Sequence, residues 1–111
     1  MSRYQHLPIY RITYELLQRV TVATRDFPRE FKFTIGQKLQ DEVVGLVVLI
    51  YKANASGVKA PLIEILLERI QVVELLVRLS QDLRIMTKKH YAALVEMIES
   101  LAKQAQGWKK A

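Results

Sequence analysis

The sequence predicts an all-α protein: an antiparallel up-down four-helix bundle forming one domain over residues 1–111. Three observations predict it. Apolar residues recur at steps of three and four along four segments, at about 8–25, 30–54, 60–84 and 88–106. The segments are joined by short connections, which set consecutive helices antiparallel. No strand-like alternation of apolar and polar residues competes with the helical pattern. Half of the residues are hydrophobic and a quarter are charged, the balance of a folded globular chain. A single domain of this size is only marginally stable alone, so self-association would help it.

Each helix has its own justification. Pro8 suits the first turn of the first helix, and Ile9, Ile12, Leu16, Val20 and Ala23 form its apolar stripe. Asp26-Phe27-Pro28 breaks it. The second helix begins near Arg29 to Thr34 and carries Ile35, Leu39, Val43, Leu46, Val47 and Ile50 at helical spacing. Its second half is apolar on nearly every side, so Val44, Val48, Leu49 and Tyr51 are candidates for a subunit interface. A core helix with a tolerated Gly45 is the plainer alternative. Asn54-Ala55-Ser56-Gly57 is a loop, and Pro61 opens the third helix. Leu62, Ile65, Leu66, Ile70, Val73, Leu76, Val77 and Leu83 mark its buried side. Glu64, Glu68, Gln71 and Arg78 mark a polar one, with Glu74 and Arg78 in the favourable order for an ion pair. Thr87 reads as the N-cap of the fourth helix. Its stripe is Tyr91, Leu94, Ile98, Leu101, Ala105 and Trp108, and Gly107 suits its end.

The residue inventory argues against catalysis. With no cysteine, disulfide frameworks, thiolate zinc sites and thiol nucleophiles are excluded. A di-iron bundle needs Glu three residues before an inward His, but Arg3 and Thr87 stand before His6 and His90. Gly36, Gly45, Gly57 and Gly107 are isolated, so no phosphate-binding glycine loop exists. Glu96 and Glu99 have magnesium-motif spacing but stand alone, which is the pattern of a solvated face. No metal or cofactor is expected. The most apolar run, 43–51, is too short to span a bilayer, and no signal peptide precedes the first helix. The expected compartment is the cytoplasm.

Charge is more informative. Seventeen Lys and Arg against eleven Asp and Glu leave a net charge of +6, which favours polyanionic partners. Arg25, Arg29 and Lys32 gather around the first turn, and Arg84, Lys88 and Lys89 around the third. In an up-down bundle these turns share an end, with Arg78 one to two turns below. Such a surface holds phosphates without reading sequence; helix-terminal solubilising charge is the alternative. Tyr91 offers a stacking face, although its spacing places it in the core. Lys52, Lys59, Lys103, Lys109 and Lys110 gather at the other end, where they complement helix C-termini.

Three segments carry a resemblance: FPREFKFTIGQKLQ at 27–40, LLVRLSQDLRIMTKKHYAALVEMI at 75–98 and QAQGWKKA at 104–111. Their order across the full length resembles the accessory variability determinant (Avd) proteins of diversity-generating retroelements. The shared pattern is Phe27-Pro28-Arg29, Arg78-Leu79 with Leu83, Lys88 to Tyr91, and Gly107-Trp108. The resemblance implies a four-helix bundle that assembles as a homopentamer. It also implies binding to a reverse transcriptase and its template-repeat RNA, or RNA–DNA, in mutagenic cDNA synthesis. The bundle protein of ribosomal RNA intervening sequences is the second resemblance. Its Ser-Ile-Pro-x-Asn-Ile-Ala-Glu-Gly segment is absent, since 47–57 reads VVLIYKANASG. A helical protein–protein adaptor is the third reading.

Overall fold

The structure, a computed structural model, describes residues 4–111. Four long helices make the fold: α1 (Pro8–Arg25), α2 (Gln37–Ala55), α3 (Ala60–Asp82) and α4 (Lys88–Lys110). A short 3-10 turn, Tyr4–His6, precedes α1. A helical turn (Arg29–Phe31) and a π-helical turn (Lys32–Gly36) lead into α2 without a break. Each helix packs on its neighbour in the chain, and α1 closes against α4. This is the expected up-down bundle. The 43 Å long axis keeps its two ends far apart.

The α1 and α4 stripes are buried as their spacing requires. Leu16, Val20, Leu94 and Leu101 are fully enclosed, and Tyr91 and Trp108 pack half-buried at the margin. Three polar side chains also enter the core. Thr13, Thr24 and Ser80 each donate a hydroxyl to the carbonyl four residues earlier, at 2.7, 2.8 and 2.8 Å, so no donor is stranded. Thr24 Oγ1 also accepts from Gln40 Nε2 at 2.8 Å, tying α1 to α2. Phe27 and Met86, from the first and third turns, plug the end of the core.

Several expectations change. Ile65 and Leu83 are exposed, whereas Ile63 is fully buried. The third helix is apolar on several sides, so spacing alone does not settle its phase. Glu74 and Arg78 form no ion pair; among the described residues the ion pairs are Lys38–Glu42, Arg69–Glu42 and Lys109–Glu64. Gly107 does not end α4, which runs three residues further, to Lys110. Thr87 is the N-cap, accepting from the His90 N–H at 3.1 Å.

The π turn solves a phasing problem. Leu39 and Val43 are fully buried, and an unbroken α-helix would place residue 32 on their face, seven and eleven residues earlier. Residue 32 is a lysine between two phenylalanines. One extra residue in the π turn rotates the upstream chain, so that Phe31 packs against the core instead. Gly36 sits at the inner corner. A Cβ there would meet Phe27, Thr24 and the Phe31 carbonyl, each at 3.4 Å.

Candidate nucleic-acid interface

The up-down order brings the first and third turns to one end of the bundle. Arg25, Arg29, Arg78, Arg84, Lys88 and Lys89 are exposed there, and Lys32 is half-exposed. None of the seven side chains makes a hydrogen bond or ion pair within the described residues. Asp26, Glu30 and Asp82 are the carboxylates of the same two turns, so cations outnumber them.

The opposite end differs. Lys59 Nζ donates to the carbonyls of Ala53, Asn54 and Ser56 at 3.0, 3.2 and 2.9 Å. It caps the C-terminus of α2, where a cation faces the negative end of the helix dipole. Lys109 pairs with Glu64 at 3.3 Å. Lys52, Lys103 and Lys110 stay exposed. Mid-bundle, Arg69 Nε donates to Glu42 Oε1 at 3.0 Å and its Nη2 to Oε2, and Lys38 adds a longer contact. Hydrogen bonding to that carboxylate, with its charge, raises the Arg69 guanidinium above its ordinary value.

The third turn has an unusual backbone. The Ile85 N–H donates to the Ser80 carbonyl and the Arg84 N–H to the Gln81 carbonyl, at 3.0 and 2.9 Å. This double closure is a Schellman C-cap, whose left-handed position is normally glycine. Here it is Arg84, at φ 60°. A hollow of about 500 Å³ lies beside it, lined by Gln81, Arg84, Met86 and Lys88. Gln81 Oε1 and His90 Nδ1 are buried at this turn with no hydrogen-bond partner.

The apolar candidates separate into two groups. Val44, Val48 and Tyr51 are 46, 43 and 48% exposed. Their flank of α2 also carries Gln40, whose bond to Thr24 places it beside α1. Tyr14, exposed and stacked on Tyr10 with centroids 6.0 Å apart, extends this surface onto α1. Leu49 does not belong to it. It lies seven residues after Glu42, on the flank that meets α3, and packs half-buried on the core. A second apolar stripe, missed by spacing, runs along α3 through Ile65, Leu75, Leu79 and Leu83. The most exposed aromatic among the described large hydrophobics is Phe33, at 69%.

Among the described residues no three His, Cys, Asp or Glu side chains group to hold a metal, and no helix is long and apolar enough to cross a membrane. Fold and charge together define a basic four-helix bundle. A family model described as bAvd-like matches residues 7–111. The chain belongs to the bAvd-like family, an accessory-protein family. No curated protein matches it.

Proposed function

We propose that this chain is a non-catalytic accessory subunit of a diversity-generating retroelement. It binds the reverse transcriptase and the template RNA, or RNA–DNA, and supports mutagenic cDNA synthesis in the cytoplasm. One observation carries the reading: seven cationic side chains without an internal partner gather at one end, while at the other end Lys59 and Lys109 are held by internal partners and three lysines stay exposed. Cations held by internal carbonyls or carboxylates have less to offer a phosphate. Free ones release counterions on binding it.

We propose that the subunit acts as a homo-oligomer, a pentamer by its resemblance to Avd proteins. Val44, Val48 and Tyr51 form one apolar surface, and Ile65, Leu75, Leu79 and Leu83 another. Two different surfaces on one chain favour a head-to-tail contact, which closes into a ring when the rotation permits. A ring of five would multiply the charge of +6 fivefold and concentrate RNA and polymerase on one scaffold.

Charge reversal of Arg84, Lys88 and Lys89 tests the basic end. It abolishes RNA or polymerase binding and leaves helicity intact; unchanged binding removes these residues from the site. Val48→Glu tests the assembly by light scattering, where wild type is oligomeric and the variant is not. A monomeric wild type overturns this part. The exposed apolar stripes favour a second reading, a protein–protein adaptor without RNA. Salt-titrated RNA binding separates the two, because phosphate contacts weaken steeply with salt and the adaptor binds no RNA at any salt.

A further inference from the structure

We infer that Phe33 is a stacking platform for an unpaired nucleobase, so that the basic end takes single-stranded nucleic acid in preference to duplex. The inference rests on the nucleic-acid reading above and adds a base contact to it.

Phe33 is 69% exposed although the neighbouring Phe31 packs on the core. The π turn separates the two rings: it puts Phe31 inside, which leaves Phe33 turned to solvent. A large exposed ring gains nothing for the isolated bundle, and π turns of this kind concentrate at functional sites.

The surroundings say what the ring would meet. Arg29 is one turn before it, and Lys32 is adjacent. Neither cationic side chain has an internal partner among the described residues.

An exposed aromatic among free cations is the arrangement that binds single strands. The cations track the phosphates, and any base presents a π-face to the ring. A base inside a duplex is already stacked and is closed to such a ring. Tyr91, the ring whose position in the sequence suggested stacking, is half-buried against the core and less available.

The test uses the whole chain and two fluorescein-labelled probes of equal length: oligouridylate and an abasic strand with the same phosphates. Wild type binds the base-bearing probe more tightly, by about 5- to 150-fold, the range for one stacked base. Phe33→Ala loses that preference but keeps its affinity for the abasic probe and its salt dependence. Phe33→Trp retains the preference. An unchanged preference in Phe33→Ala overturns the inference. Equal binding of both probes by wild type overturns it as well, while the basic end survives as a phosphate surface. If wild type binds neither probe, the nucleic-acid reading itself fails. Circular dichroism of each variant confirms the fold, which a substitution at so exposed a position leaves intact.

Discussion

Arg84→Gly should make the bundle more stable and its nucleic-acid binding weaker. Arg84 occupies the left-handed position of a Schellman cap, at φ 60°. A residue with a Cβ loses about 1–2 kcal/mol there. Glycine removes that strain but returns roughly 0.5–1 kcal/mol through the greater freedom of the unfolded chain. The net gain is about 0.5–1 kcal/mol, or about 2–4 °C in Tm for a domain of this size. Binding moves the other way. Losing one phosphate contact makes the salt slope for a single strand shallower by about 0.7. Arg84→Ala is the control, because it removes the guanidinium and keeps the Cβ. It should weaken binding as Arg84→Gly does, with no rise in Tm. Thermal unfolding at fixed protein concentration reads the first effect, and anisotropy across a salt series reads the second. Equal Tm values for the glycine and alanine variants would refute the strain argument. A stabilised Arg84→Gly with unaltered affinity and slope would refute the placement of Arg84 in the interface.

Three further outcomes follow from the geometry. Lys59→Met removes the ammonium that closes three carbonyls at the end of α2 and should cost about 1 kcal/mol, measured by denaturant midpoint, with RNA binding unchanged. Gly45→Ala adds a methyl that meets nothing within 4 Å and should stabilise the isolated subunit by about 1 kcal/mol. If light scattering shows the same substitution dissociating the assembly, Gly45 lies where another backbone approaches. Gly36→Val forces two more carbons past Phe27 and Thr24 and should destabilise by about 1–3 kcal/mol in thermal unfolding, whereas Gly36→Ala only reaches contact distance and is tolerated.

How legible the fold was depended on contrast around each helix. The α1 stripe stands against Arg11, Glu15, Gln18 and Arg19, so period alone found Ile9, Leu16, Val20 and Ala23. In α3 the flanks are themselves apolar. Ile65 and Leu83 fit the helical step as well as Ile63 does, and only packing decides between them. Loop positions were legible for a different reason. Pro8, Pro28, Pro61 and the Thr87 cap act locally, through φ restriction and hydrogen bonding, with no need of a neighbouring helix. The cationic end was legible because alternate turns of an up-down bundle share an end whatever the helices contain. Arg84 at a glycine position and the π turn before α2 were not, since both arise from how the ends of helices meet the core.

Those two features stand in the same region, and each works against local preference. A glycine would close the third turn with less strain than Arg84, and a smaller or polar residue would cover the second helix's start with less exposed apolar surface than Phe33. At the far end Lys59 closes carbonyls and Lys109 meets Glu64, although Val58 is 70% exposed there. Two such departures close together at the cationic end are hard to assign to packing alone. They fit the proposed contact surface, whose ligand would be charged and carry exposed rings. Selection for stability alone would remove Arg84 and Phe33; selection for binding would keep them.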